Sequence, residues 1–137
     1  MKIVLDEGAF MPVRGHADDA GLDLRSRESF KLWPGESYST DIGVHFDIPR
    51  GYFGKIESKS GLNVNESIVC CGGVVDAGYT GSVVVKLYNL GNKAHTFKAG
   101  DKLAQIIFLP CGAPVLEVVD KLDETERGDS GFGSTGR

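Results

Sequence analysis

Short β-branched and aromatic runs, each about one strand long, set the hydrophobic pattern of this chain. Ser82-Val83-Val84-Val85-Lys86-Leu87-Tyr88 is the clearest, and comparable runs stand at Lys2–Leu5, Ile42–Ile48, Tyr52–Glu57, Leu103–Leu109 and Val115–Val119. Turn formers separate them: Trp33-Pro34-Gly35, Pro49-Arg50-Gly51, Leu90-Gly91-Asn92, Lys98-Ala99-Gly100-Asp101 and Pro110-Cys111-Gly112. Short strands with such frequent turns predict an all-β barrel or sandwich. One brief helix is predicted, from near Ser60 to a point before Ile68, with Asn and Glu on its exposed side.

At 137 residues, 41% hydrophobic and 25% charged, the chain is of a size for one domain. A domain of that size buries roughly two-thirds of the surface its unfolded form exposes. The composition excludes a disordered or collagen-like chain. No apolar run approaches the roughly 20 residues that span a bilayer as a helix. The opening Met1-Lys2-Ile3-Val4-Leu5-Asp6 meets an acid too early for a signal peptide. The expectation is a cytoplasmic protein, or a nuclear or virion-associated one in a eukaryote or virus, with no membrane partner.

A net charge of −4 supplies no global positive field for nucleic acid, so no direct nucleic-acid binding is expected. A polyanionic ligand must then be met by local donors or a metal ion. Cys70, Cys71 and Cys111 lack C-x-x-C spacing, and neighbours on a strand point to opposite faces, so small buried thiols are expected rather than a metal site. His16, His45 and His95 are scattered outside any H-E-x-x-H or triad pattern, which argues against a zinc enzyme.

The stretch from Arg127 to Arg137 breaks the strand pattern. Its composition is that of a mobile tail. Yet it combines Phe132, two arginines, Ser134 and Thr135 among glycines, the mixture a strap over a phosphate ligand would use. Gly131-Phe132-Gly133-Ser134-Thr135-Gly136 also spells the dinucleotide fingerprint, but that motif needs a strand before it and a helix after it. The Arg127-Gly128-Asp129 adhesion tripeptide is a coincidence in a chain without secretion signals.

Four further segments hold candidate chemistry. Ser58-Lys59-Ser60-Gly61-Leu62 places a cation and two hydroxyls at the start of the candidate helix; it reads as an anion site or as a plain helix cap. Gly72 to Gly81 lies between two apolar strands and reads as a wide hairpin. Asp76 follows residues with no polar side chain, so its carboxylate is expected to be partly shielded, with a raised pKa. It then serves either as a general base or as a turn-forming Asp. Tyr79 is a packing anchor or a flat wall for a sugar or base. In Ala20-Gly21-Leu22-Asp23-Leu24 the acid stands between leucines, the pattern of a strand with Asp on its wet face. In Gly100-Asp101-Lys102-Leu103-Ala104-Gln105-Ile106-Ile107 a turn enters a strand, and Gln105 within the apolar run implies a specific partner.

Together the five segments resemble, in order, the five motifs of the homotrimeric deoxyuridine triphosphatase (dUTPase) family, and the likeness extends from about residue 14 to the C-terminus. The resemblance implies a distorted jelly-roll or β-barrel over residues 1–126, with one short helix. It also implies a glycine-rich arm, 127–137, exchanged between subunits and closing over a neighbour's site. The partners implied are dUTP and two further copies of the chain. The implied reaction is hydrolysis of dUTP to dUMP and pyrophosphate, which keeps uracil out of DNA and supplies dUMP for thymidylate synthesis. A water activated by Asp76 attacks the α-phosphorus in line, with Mg²⁺ on the triphosphate.

Residue roles follow from the same resemblance. Gly73, Val74 and Val75, with Val84 counted among the substrate contacts, line the uracil readout, and Tyr79 stacks under the deoxyribose. Lys59, Ser60, Gly61 and Gln105 hold the phosphate chain. Asp23 stands near the metal's water shell. From the arm, Arg127, Gly133, Ser134 and Thr135 contact substrate while Phe132 stacks on uracil. Lys59 stands where the family usually has Arg, replacing a bidentate fork with a point charge, and Gly78 stands where a second acid is common. Deoxycytidine triphosphate deaminase, which shares the fold, lacks support here: its Arg-rich second motif is missing. A non-enzymatic regulatory relative would be expected to lose Asp76 or the tail phenylalanine, and both are present.

Overall fold

The computed structural model describes residues 1–129. Its elements, in chain order, are β1 (Ile3–Leu5), β2 (Leu22–Arg25), β3 (Phe30–Leu32), β4 (Ser37–Asp41), β5 (Val44–Phe46), β6 (Tyr52–Ser58), α1 (Ser60–Glu66), β7 (Ile68–Cys70), β8 (Val74–Val75), β9 (Val84–Asn89), β10 (His95–Phe97) and β11 (Lys102–Pro110). The five apolar runs up to residue 109 each become a strand or part of one, and the helix falls where expected. It ends at Ser67, which takes the left-handed conformation at φ 55° and returns its N–H to the Asn63 carbonyl. No helix among the described residues is long and apolar enough to cross a membrane.

All strand pairs are antiparallel. One sheet runs β2-β11-β6-β8 and a second runs β4-β9-β7; β1-β5 and β10-β3 form two-stranded ribbons. Leu24, Leu103 and Ile106 from the first sheet share one buried cluster with Ile68, Val85 and Leu87 from the second. The architecture is therefore all-β and jelly-roll-like, as expected. Phe30 stacks on Tyr38 at 4.1 Å and on Phe97 at 4.9 Å between ring centroids, which joins the β10-β3 ribbon to the core.

Three expectations need correction. Val115–Val119 forms no strand: Val115 and Val118 are 97% and 99% exposed, and no sheet edge of the same chain receives them. Cys71 and Cys111 are exposed rather than buried. Only Cys70 is partly covered, and burial pushes its thiol up to about 11. The segment from Gly72 to Gly81 does connect two paired strands, with Ile68 opposite Asn89 and Cys70 opposite Leu87. Its middle is not a free loop, however, because β8 leaves the second sheet and pairs with Gly54 and Lys55 of β6 in the first.

Candidate active site

That crossing of sheets shapes the hairpin. Asp76 to Tyr79 closes a turn, with the Tyr79 N–H donating to the Asp76 carbonyl at 3.2 Å and Gly78 at φ 88°, the conformation the third position of a type II turn requires. A glycine here, where the resemblance would allow a second acid, serves the backbone. The Tyr79 hydroxyl donates to the Ser82 carbonyl at 3.0 Å, which fixes the ring against its own hairpin. Val83 then locks the base of the loop, donating to Val44 at 2.9 Å and accepting from Ile42 at 3.1 Å.

A cavity of about 210 Å³ opens along this hairpin, lined by Ile56, Gly73, Val74, Val75, Asp76, Tyr79, Ser82, Val83 and Val84. Every hairpin residue that the resemblance assigned to base and sugar, together with Val84, stands on this one wall. Backbone groups, one aromatic ring and a single carboxylate converge there, the chemistry of a nucleoside slot. The shielding expected for Asp76 is not met within the chain. Val75 turns into the core, but Val74 is 59% exposed and Asp76 itself is exposed.

The second group of candidates gathers on β2, β11 and the end of β6. Gln105 lies opposite Asp23 on one side and Glu57 on the other. Its amide donates to the Ser58 carbonyl at 3.1 Å, the specific partner that a polar residue in an apolar run implied. Ser58 is spent on structure: its hydroxyl accepts from the Cys70 N–H at 2.8 Å and ties β6 to β7. Lys59 follows at the helix N-cap without a capping side-chain bond, and the exposed Ser60 and Gly61 open α1.

Asp23 is not on a wet face. It is 3% exposed, ion-paired through Oδ1 to Lys59 and through Oδ2 to Lys102 at 2.6 Å. Burial alone would push its carboxyl up; the contacts and charges of Lys102 and Lys59 outweigh that and hold it below the usual carboxylate range. Oδ2 is enclosed, with the Lys102 ammonium as its counter-charge.

Lys102 and Gly21 are the residues that reading the sequence missed. Lys102 lay inside a flagged segment, yet its role depends on the β2–β11 register, which no local pattern reveals. A Cβ at Gly21 would run into the Gln105 side chain, so glycine is what lets that amide sit beside Asp23.

The two groups share β6, which pairs with β8 at Gly54 and Lys55 and delivers Lys59 beyond its end. They do not line one cavity within the chain. Arg127 is exposed at the end of the described residues; Phe132, Gly133, Ser134 and Thr135 lie outside them.

Fold and site thus define a jelly-roll-type β protein with a slot beside a carboxylate and a separate cluster of two lysines on a buried aspartate. Comparison with known proteins gives the class its family. The dUTPase family model matches residues 7–136. The mouse (Mus musculus) deoxyuridine 5'-triphosphate nucleotidohydrolase is 41% identical over 133 residues, covering 97% of this chain and 82% of the mouse protein. Among solved structures, a mutant dUTPase of Staphylococcus bacteriophage 80alpha with dUpNHpp superimposes at a TM-score of 0.89 with 29% identity, covering 99% of this chain and 98% of the other. A mutant dUTPase from phage phi11 of S. aureus, described for its coordination of a structural Mg(II) ion, superimposes at 0.82 with 29% identity over 88% of this chain and 96% of that one. The chain belongs to the dUTPase family.

Proposed function

We propose that this chain hydrolyses dUTP to dUMP and pyrophosphate, with Asp76 as the base that activates water. The observation that carries the reading is the hairpin slot, where one carboxylate stands beside a wall of backbone groups and the Tyr79 ring. Backbone donors and acceptors in a fixed hairpin read uracil by its edge: cytosine presents the opposite pattern, and a close-fitting loop leaves no room for the thymine methyl. Tyr79, braced on Ser82, supplies the sugar platform.

The triphosphate then runs toward Lys59, Ser60, Gly61 and Gln105. Lys59 in this chain is held on Asp23, so phosphate oxygens compete with a carboxylate for its ammonium. Asp76 takes a proton from a water lying between it and the α-phosphorus. That water's oxygen forms the new P–O bond as the bond to the bridging oxygen breaks, and pyrophosphate leaves.

Magnesium fits this arrangement as an ion carried by the substrate. Among the described residues no cluster of three or more metal-ligating side chains forms a cage, so the residue this reading offers to the ion's water shell is Asp23, whose Oδ1 is released when phosphate draws Lys59 away. When bound, the ion supplies positive charge at the phosphate oxygens, which a protein of net charge −4 does not otherwise offer in excess.

The separation of the two groups supports a site completed by neighbouring subunits, hence a homotrimer in which the arm reaches across. So do the exposed aliphatic side chains Val115, Leu116, Val118 and Leu122, at 81–99% exposure, a pattern a chain keeps for contact with another copy. Nucleic acid and membrane have no place in this reading, which fits a cytoplasmic, nuclear or virion setting.

The Asp76→Asn variant tests the base directly. Turnover of dUTP should fall by roughly 10²–10⁴, the usual worth of a general base, while dUTP affinity by calorimetry stays within a few-fold. Undiminished turnover removes Asp76 from the role.

A further inference from the structure

His45 is the histidine that the reading of the sequence left without a role, and its surroundings define its charge. It lies on β5 with both ring nitrogens engaged: Nδ1 is 2.8 Å from the Thr80 carbonyl, and Nε2 is 3.1 Å from Asp6 Oδ1. A carbonyl and a carboxylate only accept hydrogen bonds, so both contacts are satisfied only when both nitrogens carry protons. Thr80 directly follows Tyr79 in the substrate hairpin, whose base is held at Val83. We propose that His45 is a positioning residue for the dUTP reaction: as an imidazolium it clamps the Thr80 carbonyl to Asp6, and its deprotonation loosens the nucleoside slot.

The neighbouring carboxylates favour that state. Asp6 comes from the turn after β1 and Asp41 from the end of β4, where Asp41 also accepts from the Ser82 hydroxyl. Arg27, between β2 and β3, lies 3.6 Å from Asp6 and 4.0 Å from Asp41, and so helps keep both ionised. Lys2 and Asp47 line the same groove farther along, 4.0 Å from each other. The Thr80 carbonyl most of all raises the His45 pKa above its ordinary value; partial loss of solvent works against it, and Asp6 and Asp41 add to it. A raised folded-state pKa means the clamp is complete below the ordinary histidine range and is lost as pH rises through the folded value. In this group of residues, His45 is the one whose type titrates near neutrality.

A neutral ring keeps only one of its two bonds. If the proton stays on Nδ1, the Nε2 lone pair faces Asp6; if it stays on Nε2, a lone pair faces the Thr80 carbonyl. In the first case the ring still holds Thr80 but is no longer tied to Asp6, and in the second it releases Thr80 itself; either way the link from the hairpin to Asp6 is broken three residues before the anchored base.

This inference rests on the dUTPase reading, and its test separates the two. KM and kcat for dUTP are measured from pH 6 to 9 for the wild type and for His45→Gln, which cannot take up the charge. The wild-type KM should rise roughly three- to tenfold as pH passes through the His45 titration, the worth of one such hydrogen bond. His45→Gln should show the high KM throughout, without that limb, and with kcat little changed at high pH. In parallel, ¹⁵N NMR should find both His45 ring nitrogens protonated at pH 6.5, with the Thr80 and Gly81 amide signals following the ring's titration. A neutral His45 at pH 6.5, or an identical KM profile in both proteins, overturns the clamp. A protein that leaves dUTP intact while the ring and hairpin amides titrate together overturns the functional reading and leaves the clamp standing.

Discussion

Asn89 closes β9 with no exposed surface, and each of its polar groups has a task. Its amide donates to the carbonyls of Leu32 at 3.1 Å and Lys93 at 2.8 Å, and its side-chain oxygen accepts from the Gly91 N–H at 3.0 Å. Replacing it with Ala leaves buried backbone groups unpaired, so Asn89→Ala should lower stability by about 2–4 kcal/mol in a denaturant titration, with the slope unchanged. A loss under about 1 kcal/mol would mean that water takes over those bonds. In the sequence Asn89 was only the residue before a Leu-Gly-Asn turn. Asp23 was misjudged for a related reason: alternation with leucines reads as one wet face, but β2 is covered on both sides, and the lysines that neutralise the acid arrive from positions 59 and 102. That a residue such as Gln105 needs a partner was legible where its type stood out against its sequence neighbours. The partners themselves were hidden where distant segments supply them.

At the scale of elements, strands inside apolar runs were plain even when short, as with β1 and β5, and strands outside such runs were not. β3, β8 and β10 are too short for any periodicity to register; pairing and burial specify them instead. β8 matters most, since its two residues carry the hairpin from one sheet to the other and hold the slot open toward Asp76. Val115–Val119 shows the converse, a good strand sequence that pairs with no edge of its own chain. The proposed arm is the element whose removal separates function from assembly. A chain ending at Glu126 should keep its thermal midpoint and the light-scattering mass of three shortened chains, somewhat under three times 14.7 kDa, while kcat/KM for dUTP falls by roughly 100-fold or more. Full activity in that truncation would show that the strap plays no part in closure.

For the whole molecule, the one-chain structure divides the work: a nucleoside slot on the hairpin, and a lysine–carboxylate cluster beyond the end of β6, in separate places. The proposed homotrimer would join them through symmetry, with base recognition from one copy and phosphate contacts from others. Family membership and the all-β class were legible in five spaced motifs. A site shared between copies came only from the resemblance, because spacing along a chain does not reveal which copy each motif serves. The most direct test is pyrophosphate release from dUTP, dCTP, dTTP and UTP, measured side by side with Mg²⁺ present. Rapid release from dUTP, with the other three at least about 100-fold slower, is the result expected of backbone readout in a close-fitting hairpin. Comparable release from all four, or an untouched dUTP, would contradict it.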